Sequence, residues 1–309
     1  MVGSAKQHNA VYRFFSSRKD VGSVTRGSKI VIYTILIVLA VIFIVPFLLT
    51  IGISFSTQNS IVQNGYQIIP MEFTLDGYKY IFNDLELILI AYKNSIVSAV
   101  IGTLLNVLLC ILVAYPLSNF NFKWRRSIGF YVYFTMMFGG GLIPYYILVK
   151  QYLHMDNTLW VLIIPALVSP GNVFLLRVFM QQVPKEIYES AKIDGAGEYR
   201  ILFNITVPLV KSGIATVALF IILAYWNDVI TPRMFIDQRD LMTLPKLLDS
   251  YSLYVNQAMS SMPITPGIRP PEDAMTFGMC VISTGPMLFV FLFFQKYFVQ
   301  GMVMGAVKG

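Results

Sequence analysis

The feature that most constrains this chain is a series of apolar runs free of Asp, Glu, Lys and Arg, at residues 30–57, 94–122, 127–149, 159–176, 212–227 and 274–295. A helix rises about 1.5 Å per residue, so about 20 such residues cross the roughly 30 Å of bilayer hydrocarbon. Soluble domains do not repeat such runs, and the composition agrees: 56% of residues are hydrophobic and only 13% charged. The pattern predicts an all-α polytopic membrane protein with six transmembrane helices, at about 30–54, 94–118, 127–149, 158–178, 207–229 and 274–296. The fifth run is short, but Ile205, Val207 and Leu209 extend it upstream and Lys211 can reach back to the interface.

Six spans place both termini on one side of the membrane, and the basic residues say which. The tail at 1–29 holds Lys6, Arg13, Arg18, Lys19, Arg26 and Lys29, and the second connection holds Lys123, Arg125 and Arg126. The fourth connection adds Arg177, Lys185, Lys192, Arg200 and Lys211, and the C-terminal end adds Lys296 and, in the tail at 299–309, Lys308. Most of the 23 Lys and Arg thus share one side, which the positive-inside rule makes cytoplasmic for both termini. The net charge of +7 is therefore topological, and no nucleic-acid partner is expected; the lipid bilayer is the first partner.

The first run follows a basic tail as a signal peptide does, yet it exceeds a signal h-region and lacks a small-residue cleavage site, so it should remain as an anchor. Val11, Tyr12, Phe14 and Phe15 beside Arg13, Arg18 and Lys19 form either a short interfacial helix or a disordered tail. On the outer side, 58–93 contains a strand-like QIIP at 67–70 and a turn-like TLDGY at 74–78. The connection 231–273 is the other long one, and its proline-rich 258–272 reads as irregular.

Catalysis is not expected. The two histidines, His8 and His154, lie outside the spans, no carboxylate sits at mid-span, and no catalytic residue is assigned. Cys110 and Cys280 lie in apolar runs and read as small buried hydrophobes, so neither a disulfide nor a metal site is expected. Ionisable groups that would suit a secondary transporter or channel are also absent from the spans.

One stretch exceeds what membrane insertion requires: PKEIYESAKIDGAGEYRILFNITVPL, residues 184–209. Pro184 suits a first helical position, Glu186 and Glu189 suit the first turns, and Gly195 with Gly197 can end or turn the helix. Ser190, Ala191 and Ala196 are small enough for close approach of another backbone, while Ile187, Tyr188, Ile193 and Tyr199 offer apolar anchors to a groove. The stretch reads as a short cytoplasmic docking helix; an ordinary hairpin is the plainer reading.

The run from Glu189 to Ala196, with Ile205 and Pro208-Leu209 downstream, closely resembles the EAA motif of ABC importer permeases, with Ser190 where that family usually has Ala. The resemblance implies a type I permease fold, with 30–298 as the transmembrane domain and 184–204 as the element that couples to a separate ATPase. Glu189, Ser190, Ala191, Asp194, Gly195 and Ala196 are the residues it points to. The segments 136–150 (MMFGGGLIPYYILVK), 224–228 (AYWND) and 295–309 further resemble the carbohydrate-uptake branch, with its MalG-like and complex-polysaccharide permeases. That branch implies a second homologous permease as heterodimer partner, an ATPase dimer, an extracellular or periplasmic solute-binding protein and a carbohydrate substrate in a bacterial plasma membrane. In the outer connection, PKLL at 245–248 also matches the family's usual outer-loop region.

The chain has no G-x-x-x-x-G-K-[ST] loop, since Gly139, Gly140 and Gly141 lack the following Lys. ATP and magnesium are thus assigned to the partner ATPase and no cofactor to this chain. Polar or aromatic groups at membrane depth nominate Asn106, Tyr145, Tyr146, Asn172, Tyr225, Trp226 and Asn227 for a sugar path, with an interfacial aromatic belt as the competing role for Tyr225 and Trp226. The triple glycine reads as close helix packing, with a kink beside the path as the alternative. Pro46, Pro116, Pro144, Pro165, Pro170 and Pro286 read as shaping their helices. A permease for an amino acid, peptide or polyamine is the nearest alternative function, ahead of a secondary transporter or channel.

Overall fold

The computed structural model describes residues 26–119, 121–261 and 271–306, and within them the chain is helical, with one isolated bridge between Ser56 and Phe73. The aromatic interfacial segment at 11–15 lies outside the described residues. Two units separate, residues 1–50 and 51–309. The first holds most of α1 (Arg26–Ser54), which exposes apolar side chains all round from Ile30 to Phe47, as a helix solvated by lipid does.

In the second unit, α2 (Gln58–Asn64) and α3 (Asp76–Phe82) precede the long α4 (Leu85–Ser118), which Asp84 caps by accepting from the Leu87 amide. The TLDGY segment thus leads into a helix, and QIIP forms a bend, not a strand. That bend lies tight on Gly52, where an added Cβ would meet the Ile68 carbonyl oxygen at 2.2 Å.

Helices α4, α9 (Lys211–Trp226) and α12 (Glu272–Ala306) form the centre: α9 packs on both others, and α7 (Pro170–Gln181) packs on α4 and α9. Leu117, Leu176, Met180, Val217 and Ile221 are buried there, and Gly102 brings α4 close to the Tyr225 ring. Helix α10 (Ile230–Phe235) and α11 (Leu244–Ser261) lie in the long connection 231–273. Helix α11 contains the PKLL segment and extends through 258–261, part of the stretch expected to be irregular, while 262–270 lies outside the described residues.

The third and fourth spans depart from the expected single helices. Helix α5 (Arg125–Met137) and the pair α6 (Leu142–Ile147) with the π segment Leu148–Tyr152 are bent by 107° at the glycines. Thirteen residues rise only about 20 Å, short of the hydrocarbon thickness. A Cβ on Gly139 or Gly140 would meet nothing within 4 Å, and Gly141 has φ +87°. Among the described residues the triple glycine is therefore a break in the helix and not a close-packing site. The fourth span is bent by 51° between two short 3-10 turns, Leu159–Leu162 and Ile164–Ala166, and α7, with Pro165 and Pro170 at the breaks. Among the described residues, four unbroken helices and two bent pairs are long and apolar enough to cross a membrane.

Candidate functional site

The segment 184–209 folds as a helix, a tight turn and an irregular return. Helix α8 (Lys185–Ile193) starts one residue after Pro184, whose φ of −56° and ψ of 138° place it at the N-cap instead of the expected first helical position. At the other end Gly195 has φ +75°, the Ala196 amide donates to the Ala191 carbonyl at 2.9 Å and the Gly195 amide donates to Lys192 at 3.0 Å. This paired closure is the Schellman arrangement, and it needs a residue that tolerates positive φ where Gly195 stands. The spacing of Ala191, Gly195 and Ala196 thus has a local cause.

The four apolar anchors divide. Ile187 and Tyr188 are half-buried against the chain's own core and Ala191 is buried, so these three support the helix from within. Burial accordingly pushes the Tyr188 hydroxyl pKa up. Ile193 is 86% exposed and Tyr199 78% exposed, and both stand at the turn beside exposed Glu189, Ser190, Asp194 and Gly195. The protruding face is therefore narrower than the residue types suggest.

Glu198 fixes the turn. Its carboxylate accepts from Lys192 Nζ at 2.8 Å and from the Tyr115 hydroxyl of α4 at 2.6 Å. These hydrogen bonds, Lys192 first and then Tyr115, hold the Glu198 carboxyl below its ordinary range. Downstream, Glu198–Arg200 passes into a π segment, Ile201–Thr206, in which the Thr206 hydroxyl donates to the Ile201 carbonyl at 3.1 Å. Val207–Leu209 and a break at Val210 then lead into α9, so the Pro208-Leu209 pair lies at the junction with the core. A cleft of about 220 Å³ beside α8 is lined by Tyr115, Asn119, Gln181, Lys185, Tyr188 and Glu189.

The membrane-depth candidates do not converge on one path. Asn106 is 2% exposed and donates to the Ala166 carbonyl at 2.7 Å, the oxygen that an amide four residues on would take in a helix if position 170 were not proline. Tyr225 donates to the Ile163 carbonyl at 3.0 Å in the same broken span. Trp226 Nε1 donates to the Ser283 carbonyl of α12 at 2.9 Å. These three are buried and satisfy main-chain oxygens. Asn172 donates to Ser169 Oγ at 2.9 Å while remaining half-buried. Tyr145 and Tyr146 pack on Phe235 with ring centroids 5.6 and 5.5 Å away, also half-buried. Asn227 alone among the seven is exposed.

Tyr92 was not singled out by sequence, yet its hydroxyl donates at 2.8 Å to the Ile282 carbonyl, which Pro286 cannot serve. An apolar run with Pro286 inside it signals an orphan oxygen four residues upstream, but nothing in the sequence names the donor. No group of three or more His, Cys, Asp or Glu side chains fit to hold a metal occurs among the described residues.

Comparison with known proteins completes the site. Residues 88–304 match the family described as binding-protein-dependent transport system inner membrane component. Protein LplC of Bacillus subtilis (strain 168) is 37% identical over 268 residues, covering 87% of this chain and 90% of that protein. The polygalacturonan/rhamnogalacturonan transport system permease protein YtcP of the same strain is 36% identical over 282 residues, covering 90% and 97%. Among solved structures, a chain of a bacterial ABC transporter involved in the import of the acidic polysaccharide alginate superposes with a TM-score of 0.73, at 22% identity, covering 90% of this chain and 98% of that one. That likeness establishes that the two chains share a fold.

Proposed function

The chain belongs to the binding-protein-dependent transport system inner membrane component family, and from that membership we propose that it is the permease subunit of a bacterial plasma-membrane importer for a sugar, an oligosaccharide in particular. The single observation that carries the coupling assignment is the 184–200 turn: a short helix fixed from within by Ile187, Tyr188 and Ala191 and offering Ile193 and Tyr199 outward. The sugar assignment is supported by relatives such as YtcP, whose name gives a polysaccharide-derived cargo.

In this reading the turn faces the cytoplasm and seats in a groove of a separate ATPase subunit, which holds ATP and magnesium. Glu189, Ser190, Asp194, Gly195 and Ala196 form its contact face. Closure of two ATPase subunits moves the turn, the π segment and Val210 transmit the displacement to α9, and α9 repacks against α4 and α12 between inward- and outward-open arrangements. A second homologous permease completes the path, and a solute-binding protein delivers the sugar to the outer connection that includes α10 and α11. Tyr145, Tyr146, Asn172 and Asn227 remain the candidates for sugar contact.

Ile193→Asp tests the assignment, because Ile193 is solvent-exposed and outside the core. The variant is expected in the membrane at wild-type amount, with ATPase copurification and sugar uptake both lost. Normal uptake and copurification would overturn the coupling assignment. Uptake assays with radiolabelled pectic oligosaccharides, amino acids and peptides separate the cargo classes, and uptake of a non-sugar alone would overturn the sugar reading.

A further inference from the structure

We infer that the start of α5, together with Arg177 of α7, forms a binding site for the phosphate of an anionic lipid headgroup in the leaflet on the basic side. Helix α5 opens against the ordinary electrostatic rule. Its first two residues are Arg125 and Arg126, its first turn has no acidic residue, and its N-cap, Trp124, makes no side-chain capping bond. A helix N-terminus carries partial positive charge, so cations there are unfavourable unless an anion answers them. Lys123 precedes them and is exposed, as is Arg126.

Arg177 brings a further charge to the same place. Helices α5 and α7 pack together, and the Arg125 and Arg177 guanidiniums are close enough to act on each other. Arg177 Nε is buried with no hydrogen-bond partner among the described residues, although its guanidinium lies 5.9 Å from the Phe174 ring centroid. No salt bridge among the described residues involves Lys123, Arg126 or Arg177. Arg125 itself is engaged, its Nε donating to the Leu117 carbonyl at 2.9 Å, and this tie fixes the turn that presents its neighbours. A phosphate would answer the two exposed cations and the helix end together, with the Arg177 charge adding to the attraction.

A lipid fits better than a free ion because of what adjoins the cations. Trp124 is 61% exposed, and Phe130 and Tyr131, one to two turns along α5, are 68% and 69% exposed. An exposed indole beside cations is the pattern of a membrane interface, and the apolar residues beyond it suit acyl chains. The inference rests on the proposed orientation, in which this side faces the anionic cytoplasmic leaflet, and not on the cargo.

The test uses the assembled importer in nanodiscs of phosphatidylcholine doped with phosphatidylglycerol, with native mass spectrometry counting retained phosphatidylglycerol after release. Each cation removed is expected to weaken retention about fivefold. Lys123→Ala with Arg126→Ala is the first variant, since both side chains are exposed; Arg177→Met is the second. Reduced retention in both, with transporter subunits still assembled, supports the site. Unchanged retention in the double variant overturns it, as does displacement of the lipid by inorganic phosphate alone, which would identify a free-anion site. Because lipid retention is read without transport, an importer that binds phosphatidylglycerol but moves no sugar would count against the proposed function and leave this site intact.

Discussion

Helix α4 and the α5–α6 pair both come from runs apolar enough to cross a membrane and play opposite parts. Helix α4 turns Asn94, Ser95, Ser98, Ala99, Gly102, Thr103, Asn106 and Cys110 inward and Leu104, Leu105, Leu108 and Leu112 outward. Its interior face is small and polar and its exterior face is leucine, the reverse of a soluble helix, because lipid solvates leucine as well as protein does. Helix α5 buries only Val132 and exposes Phe130, Tyr131, Tyr133, Phe134, Met136 and Met137, then breaks at the glycines. Hydropathy marks where bilayer is; the stripe of small and polar residues marks where protein is.

Glycine substitutions should divide sharply along this line and give the largest effect. A Cβ at Gly102 would lie 2.6 to 2.8 Å from the Tyr225 ring, whereas one at Gly140 would touch nothing. Gly102→Ala should cost about 1–3 kcal/mol as the ring is driven out of place. Gly140→Ala should leave stability nearly unchanged, and thermal unfolding in detergent compares the two. Equal losses would mean that the break is packed as tightly as the scaffold and would erase the distinction between the two regions.

The main-chain oxygens that proline leaves without a helical donor offer a finer comparison. Asn106→Leu removes the donor to Ala166 and should cost about 1–3 kcal/mol, the range for an orphaned buried group. Tyr92→Phe leaves Ile282 unserved beside Pro286 and belongs in the lower part of that range, about 1 kcal/mol, since Tyr92 is half-buried. If either variant matched wild type in the same unfolding measurement, that bond would not be contributing to stability.

These bonds also explain which parts of the molecule are legible in sequence. The apolar runs and the Gly195 turn are written locally, in hydropathy and in one residue's backbone freedom, and the type I permease fold follows from them by resemblance. The 107° bend is not, because three glycines permit either packing or a break, and the choice depends on neighbours far along the chain. Asn106 was singled out for its polarity at membrane depth, which is a sound signal that something must receive its amide. The recipient is the Ala166 carbonyl, 60 residues away, and no single-residue rule distinguishes it from a sugar hydroxyl.

The smallest effect expected lies at the 184–200 turn, and it is a matter of pH. Glu198 is bound by Lys192 and Tyr115, and its carboxyl titrates below the ordinary value of 4.5. A depressed folded-state pKa means that the clip is fully present at neutral pH and weakens only as pH falls through the lowered value. Both partners of the ion pair are about half exposed, so the gain in stability is small and screened by salt. Hydrogen exchange of the 190–200 amides should therefore stay level from neutral pH to about 4.5 once the intrinsic pH dependence is removed, then quicken below it. Glu198→Gln should exchange faster at neutral pH and lose the acid step, while Tyr115→Phe should retain the step, moved toward higher pH. An acid step centred at or above 4.5 in the wild type would show that the turn is held by its Schellman closure alone, with Glu198 a bystander.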